Sequence, residues 1–290
     1  MFEAIRAARP PRLYLAADGP RASRAGEAER CAEVRRIATA VDWPCELHTL
    51  LRGENRGCKL GVSEGINWFF EHEAEGIVLE DDILPLPSFF PYCEALLERY
   101  RDDPRVSLVC GTNLIADRYQ PQSSYFFTHH SSIWGWAAWR RSWQGYDAAM
   151  RDWPAWDTAG GLERLFKGDR CAQHYWRSLL NRIHRGEVDT WDYQWLWQGW
   201  RNDALAILPA SPLTTNLGFG PDATHTVKGA PDHVRRAVPR EIAFPLVAPP
   251  QVESDAQADR LIQRQVIGLG HWRCLRRAVR RILARWFGRS

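Results

Sequence analysis

Apolar and polar positions alternate along the first hundred residues in a way that predicts strands and helices in turn. Short apolar runs bounded by turn residues have the length of strands, and the longer segments between them carry apolar residues at helical spacing. The predicted strands cover residues 12–17, 45–51 and 76–80, and the predicted helices cover residues 1–9, 27–41, 60–71 and a segment opened by Pro91. This alternation predicts an α/β fold with a parallel sheet and helices on both faces.

Three adjacent carboxylates, Glu80, Asp81 and Asp82, follow the third predicted strand directly. Adjacent like charges repel each other, so a cation or strong hydrogen-bond donors usually compensate them. In an open α/β sheet, ligands bind at the carboxyl ends of the strands. A hard ion such as Mg²⁺ or Mn²⁺ takes one or two carboxylates and completes its shell with water and phosphate oxygens. The triplet therefore predicts a metal–diphosphate site, with a solvated acidic turn as the competing interpretation.

Length, charge and cysteine content restrict the class of protein. A chain of 290 residues suits one large or two small domains, and a net charge of +3 is too small to indicate nucleic acid as a partner. The seven cysteines are scattered without a Cys-x-x-Cys pair, which predicts reduced thiols in the cytoplasm. The chain shows no signal-peptide pattern and no apolar run close to roughly 18 residues, so we expect no membrane span.

Four segments carry a resemblance to a known family: LYLAADGPR, NRGCKLGVSEGINWFFEHEAEGIVLEDDILPLPSFFPYCEALLERYRDDPRV, SIWGWAAWRRSW, and NLGFGPDATHT. Together they resemble bacterial glycosyltransferases of the GT-A superfamily, some of which are labelled haemolysin-like. The chain is more distantly similar to the animal N-acetylglucosaminyltransferase I family, in which Glu-Asp-Asp replaces the usual Asp-x-Asp motif. The resemblance covers roughly residues 1–230. It implies a GT-A (Rossmann-like) fold, a nucleotide-diphosphate sugar donor and a Mn²⁺ or Mg²⁺ cofactor.

The resemblance also implies roles for the strand-end acids. Asp82 matches the direct metal ligand, while Glu80 and Asp81 match positions that hold the nucleotide-sugar and the water shell of the metal. Asp18 matches an aspartate that accepts a hydrogen bond from the nucleotide base, which fits a uracil N–H and favours a uridine donor.

The segment VDTWDYQW is similar to a Trp-Asp-Asp-Trp stretch of the family, in which the first Asp is the catalytic base. The resemblance therefore implies that Asp192 is the base of a single, inverting displacement. Trp195 keeps the second aromatic residue, but Tyr193 stands where the family has its second Asp. Without the family, the better interpretation of Asp192 is an exposed loop acid or a helix N-cap.

Eleven of the 15 tryptophans fall between Trp134 and Trp200. Sugar rings pack well on indole faces, so a tryptophan-lined acceptor cleft is one interpretation, although most large aromatic residues belong to cores. We expect about two-thirds of the eleven to be packing residues. Trp134, Trp136 and Trp191 are the candidates for the site because glycines or Asp192 adjoin them.

Two glycines flank Phe219 in the segment NLGFGPDATHT, and they predict a mobile loop that closes over the donor diphosphate. His225 in the same segment is a candidate ligand for the metal or a phosphate. A lone histidine is more often a surface or hydrogen-bonding residue, and that interpretation stays open.

Members of the family begin with an apolar strand and an Asn-Arg-Pro turn that precede the equivalent of Met1. We therefore expect residues 1–245 to form a GT-A domain that lacks its first, central strand. The neighbours of that strand would be 12–17 and 76–80, so a gap or distorted pairing is expected beside both.

The rest of the chain differs in composition. Residues 246–270 are interpreted as a linker and a helix, and residues 271–290 as a basic amphipathic tail with seven arginines and no acid. Such a tail predicts contact with an anionic membrane surface, with a terminal helix docked on its own domain as the alternative.

The sequence as a whole predicts a cytoplasmic, metal-dependent, inverting glycosyltransferase that is either free or peripheral to the inner membrane. Its acceptor would be a surface glycan or a lipid-linked glycan. A nucleotidyltransferase on a related fold is one alternative, but no Gly-rich phosphate loop adjoins the first strand. A catalytically inactive scaffold or membrane-associated protein is the other.

Overall fold

The computed structural model describes residues 1–219 and 229–269. The predicted ligand His225 and the predicted tail 271–290 lie outside these residues. The strands are β1 (Arg12–Ala17), β2 (Glu46–Leu51), β3 (Glu75–Val78), β4 (Ile83–Pro85), β5 (Val106–Cys110), β6 (Tyr125–Thr128), β7 (Trp136–Trp139), β8 (Leu205–Pro209) and β9 (Thr214–Asn216). The helices are α1 (Phe2–Ala8), α2 (Glu27–Ala38), α3 (Gly57–His72), α4 (Phe89–Arg99), α5 (Arg140–Trp143), α6 (Trp153–Thr158), α7 (Gly161–Leu165), α8 (Arg170–His184), α9 (Asp192–Arg201), α10 (Asp232–Arg236) and α11 (Ala256–Leu261), followed by a π-helical turn at Ile262–Val266.

The fold is mixed α/β, as predicted, but its central sheet is not all parallel. Its five strands have the order β3-β7-β5-β8-β6, and β4 and β9 form a separate antiparallel pair. Strands β5 and β8 are parallel, whereas β7 runs antiparallel to β3 and β5, and β6 antiparallel to β8. No helix lies between β5 and β6. Strands β6 and β7 are thus reached without the helical crossover that usually joins parallel strands, and both run antiparallel to the strands they pair with.

Two strands have an open edge where a gap in the sheet is predicted. Among the described residues, β1 pairs with β2 alone, and β3 pairs with β7 alone. One side chain from α3 reaches both open strands: the Phe69 ring lies 5.2 Å from the Tyr14 ring of β1. A Cβ added to Gly76 of β3 would lie 2.4 Å from the Cζ of Phe69. Helix α3 thus packs across one face of the space between the open edges of β1 and β3, here called the interval between β1 and β3.

Helix α4 begins at Phe89, two residues before the predicted start at Pro91. The first N–H groups of a helix have no acceptor within it, so a proline within the first turn removes no intrahelical hydrogen bond. Proline therefore marks the first turn of α4 without marking its first residue.

The segment predicted as a linker is packed against the domain over its described residues. Leu246, Ala248 and Val252 lie against the core cluster that is built on β5, β7 and α4. Asp259 of α11 accepts hydrogen bonds from the Thr128 hydroxyl and the His129 backbone. Within residues 1–219 and 229–269, no helix combines the length and apolar character needed to cross a membrane.

One cysteine departs from the expectation of reduced thiols. Cys171 of α8 is disulfide-bonded. The thiols of Cys31, Cys45, Cys58, Cys93 and Cys110 are free. The prediction from cysteine spacing is therefore wrong for Cys171, because a disulfide depends on three-dimensional proximity that spacing along the chain does not reveal.

A buried histidine predicts acid sensitivity of the fold. His130 is 3% exposed, and neither ring nitrogen has a hydrogen-bond partner in the described part of the chain. Burial lowers its pKa to about 4 from 6.5. Because the unfolded state binds the proton more tightly, stability is lost as pH falls from 6.5 towards 4, by roughly 3 kcal/mol at most. We expect His130→Leu to flatten the urea-unfolding free energy between pH 6.5 and 4.5.

The exposed His72 at the end of α3 offers a matched control. His72→Leu should leave the pH dependence of the unfolding free energy as it is in the wild type. An unchanged slope in His130→Leu would show that the acid sensitivity has another source.

Candidate active site

Asp18, which follows β1, holds the start of helix α3. Its Oδ1 accepts hydrogen bonds from the Gly19 N–H at 3.0 Å and the Arg56 N–H at 2.9 Å, and its Oδ2 accepts one from the Gly57 N–H at 3.2 Å. The first N–H groups of a helix lack intrahelical acceptors and favour a nearby negative charge. Asp18 therefore acts as a tertiary cap for α3. A carboxylate has further acceptor capacity, so its binding to a base stays a prediction.

Cys58, the second residue of α3, shows which acids meet at this end of the helix. Burial and, to a smaller extent, the negative charges of Glu80, Asp189 and Asp192 raise the pKa of its thiol to about 11. These three carboxylates come from the end of β3 and from the segment that leads into α9. The end of β1, the end of β3 and the start of α9 therefore meet around the first turn of α3.

Glu80 is the most electrostatically strained acid of this group. Its Oε1 is buried and has no hydrogen-bond partner within the described residues. Burial and, to a smaller extent, the negative charges of Asp82, Asp192 and Asp81 raise the pKa of Glu80 to about 8. No positive charge is among the causes of this shift. The structure thus brings the acidic triplet Glu80 to Asp82 and the predicted base Asp192 within electrostatic reach of one carboxyl group, that of Glu80.

Asp82 lies under the segment that follows β9. Its carbonyl accepts a hydrogen bond from the Leu217 N–H at 2.8 Å, and burial together with the charge of Asp81 raises the pKa of its carboxyl group. A Cβ added to Gly218 would lie 2.1 Å from the Oδ2 of Asp82. Only a residue without a side chain lets the backbone approach this carboxylate so closely.

Asp192 is the first residue of α9, where a negative charge is favoured by the helix dipole. The Thr190 hydroxyl donates a hydrogen bond to its Oδ1, and the Gln194 amide donates to the Thr190 carbonyl at 2.6 Å. The Tyr146 hydroxyl donates to the Trp191 carbonyl at 3.0 Å. The backbone next to the half-buried Asp192 carboxylate is therefore held by two hydrogen bonds, one from Gln194 and one from Tyr146.

Two of the three candidate tryptophans belong to the core. Trp136 is 0% exposed and Trp191 is 2% exposed, and their rings lie 6.1 Å apart. Neither indole face can receive a sugar, so the interpretation of these two as sugar-binding residues is wrong. Of the eleven tryptophans in this stretch, all but Trp134 and Trp156 are buried. The share of these tryptophans that packs in the core is thus larger than the expected two-thirds. Trp134 is the one candidate with accessible surface.

The residue that replaces the family's second Asp is also a packing residue. Tyr193 lies against the core cluster of α8 and α9, with its ring 6.2 Å from that of Trp176. Thr190, Tyr146 and Cys58 are the site residues that sequence reasoning missed. No periodicity marks them, since their roles depend on contacts between separate elements.

The carboxylate oxygens of the site are of the kind that a hard divalent cation takes. Within residues 1–219 and 229–269, no three or more His, Cys, Asp or Glu side chains form a group that could hold a metal ion. Mg²⁺ and Mn²⁺ with a nucleotide need fewer, because phosphates and water complete the shell. The carboxylates of Asp82 and Glu80, the latter with an unpartnered buried oxygen, are oxygen donors of the required kind.

The close approach at Gly218 makes a testable prediction. In Gly218→Ala the new methyl group should displace the Asp82 carboxylate and weaken Mn²⁺-dependent binding of a uridine diphosphate about tenfold, the equivalent of 1.4 kcal/mol. Calorimetric titration measures this affinity. Gly229→Ala is the control, because a Cβ there meets nothing within 4 Å. Equal affinity in both variants would mean that the segment does not restrain Asp82.

Comparison with known proteins adds no family to these observations. No model of a known protein family matches the chain, and no curated protein matches it significantly.

Proposed function

We propose that the chain is a glycosyltransferase of the GT-A fold that transfers a sugar from a nucleotide-diphosphate donor, with a uridine nucleotide favoured. The mixed α/β fold is compatible with this proposal. One observation carries it: Asp82 at a strand end and Asp192 at a helix start both act electrostatically on the buried carboxyl group of Glu80 in one partly buried site. Sugar transfer requires two such functions, charge compensation at the leaving diphosphate and a base at the acceptor hydroxyl.

In the proposed reaction, Asp192 takes the proton from the acceptor hydroxyl. The hydroxyl oxygen then forms a bond to the anomeric carbon while the bond from that carbon to the diphosphate oxygen breaks. The attack comes from the face opposite the diphosphate, so the configuration inverts. The Thr190 hydrogen bond orients the Asp192 carboxylate, and the partial burial of the site limits competition from water.

Asp82 is the described residue that would hold Mg²⁺ or Mn²⁺ directly, with Glu80 and Asp81 at the nucleotide-sugar and the water shell of the metal. The bound ion supplies Lewis-acid stabilisation of the negative charge on the leaving diphosphate. The ion would also lower the repulsion among the carboxylates that raises the pKa of Glu80.

The proposed acceptor is a surface glycan or a lipid-linked glycan, with the protein in the cytoplasm or at the membrane surface. The basic segment 271–290 supports this part of the proposal, since seven arginines without an acid favour an anionic surface.

An inactive scaffold is the second candidate, and the interval between β1 and β3 is the observation that favours it. An incomplete sheet at the donor side of the site would lower nucleotide affinity. The scaffold would keep its packed core while it fails to turn over any donor.

One assay separates the two candidates. Purified protein is incubated with a panel of nucleotide-diphosphate sugars and Mn²⁺, with and without a chelator, and the released nucleoside diphosphate is measured. An active enzyme should release it from at least one donor in a Mn²⁺-dependent manner. Absence of release from every donor, with the protein folded, would contradict the proposal and favour the scaffold.

A further inference from the structure

Two partly exposed aromatic rings meet beside the acidic site. The rings of Trp134 and Phe219 lie 5.7 Å apart in an edge-to-face arrangement. The Thr214 hydroxyl donates a hydrogen bond to the Trp134 carbonyl at 2.7 Å, which ties the backbone before β7 to β9. The pair, here called the aromatic pair, is therefore held by two separate parts of the chain.

The glycines next to these rings place the aromatic pair against the acids. A Cβ added to Gly135 would lie 3.1 Å from the Cδ2 of Leu79 and 3.4 Å from the Cγ2 of Ile83, on either side of the acidic triplet. Gly218 packs against the carboxylate of Asp82. Trp134 and Phe219 are thus each the sequence neighbour of a glycine that lies against the segment of Glu80 to Asp82.

This juxtaposition combines an accessible aromatic surface with carboxylate oxygens. A pyranose ring can bind to both kinds of group, since its C–H groups pack on an aromatic face and its hydroxyl groups donate hydrogen bonds to carboxylates. Nine buried tryptophans in the same stretch show that the fold readily encloses indoles. Trp134 remains partly exposed, and its neighbour Gly135 lies against the residues on either side of the acidic triplet, so a ligand on the indole would lie near these carboxylates.

We propose that the aromatic pair is a sugar-binding subsite that packs against the apolar face of a pyranose with equatorial hydroxyls. This inference rests on the proposed function for the identity of the site, and it adds the residues that select the sugar ring. An axial hydroxyl would interrupt the C–H face, so a β-glucoside should bind better than an α-mannoside.

The experiment uses the full chain with methyl β-D-glucopyranoside and methyl α-D-mannopyranoside as probes, in the absence of donor and metal. Saturation-transfer NMR reports which ring protons contact the protein, and titration gives the affinity. Trp134→Leu should weaken binding of the β-glucoside about tenfold, and Phe219→Leu should weaken it less. Trp156→Leu is the matched control, because Trp156 is also partly exposed but packs in the cluster of α6 and α8.

The outcomes separate this inference from the proposed function. Loss of binding in Trp134→Leu alone, with the urea midpoint of the wild type, supports the subsite even if no donor is turned over. Equal binding in Trp134→Leu and Trp156→Leu overturns it, even if transfer proceeds. Failure of both glycosides to bind the wild-type protein also overturns it.

Discussion

Replacement of Asp192 by asparagine is expected to reduce sugar transfer by roughly 10²–10⁴-fold, the range that general-base catalysis contributes. Asparagine has nearly the same shape, and its amide oxygen can still accept the Thr190 hydrogen bond, so the local geometry should persist. Affinity for the nucleotide-sugar should stay close to that of the wild type, because the base acts on the acceptor and not on the nucleotide. Initial rates and donor titration measure the two quantities.

The neighbouring Asp189 provides the control for this substitution. It is an exposed acid in the same segment, and its charge also acts on Cys58. Asp189→Asn changes the net charge by the same amount but should leave the rate within a few-fold of the wild type. Comparable rate losses in both variants would point to a general electrostatic effect, and retained transfer in Asp192→Asn would require another base.

Replacement of Asp82 by alanine is expected to remove Mn²⁺-dependent binding of a uridine diphosphate nucleotide. Loss of a residue that only supports a metal ligand costs 10–100-fold in affinity, so loss of a ligand should cost at least about a hundredfold. Asp81→Asn should have a smaller effect, since Asp81 is exposed and is predicted to contact the water shell. Calorimetric titration with and without Mn²⁺ measures both affinities.

The metal-free titration is the internal control for this experiment. If Asp82 acts through the cation, the wild type and Asp82→Ala should bind the nucleotide with similar affinity when no metal is present. Unchanged Mn²⁺-dependent affinity in Asp82→Ala would refute the assignment of Asp82 as a metal ligand.

The sequence predicted the first elements of the fold well, because each apolar run is bounded by turn residues. The strand at 12–17 is observed over the same residues, and the helix predicted at 60–71 lies within α3. The direction of the later strands could not be predicted. It depends on whether a connection crosses over the sheet or turns back, and the long irregular segments after β5 carry no periodicity that decides this.

The candidate site was predicted in part. The acids that lie at strand and helix ends were found, since an abrupt change from apolar to charged residues is visible in the sequence. The burial of Trp136 and Trp191 was not predicted. A tryptophan beside glycines gives no indication in the sequence of whether its ring contacts solvent or other rings. The capping of α3 by Asp18 was also missed, since it joins residues 38 positions apart.

The interval between β1 and β3 has a consequence for amide chemistry. The Pro11 carbonyl accepts a hydrogen bond from Glu46 of β2, and the Ala17 carbonyl accepts one from Arg52, which follows β2 directly. The peptide groups of the even-numbered residues between Pro11 and Ala17 therefore point the other way. The N–H groups of Tyr14 and Ala16 therefore face the interval, as a row of donors with no ladder partner in the described chain. Their amide protons should exchange with deuterium much faster than those of Leu13 and Leu15, although all four belong to one strand. Such an open row of donors also lets another extended chain add to the sheet. The association of this domain with itself in solution should therefore increase with protein concentration.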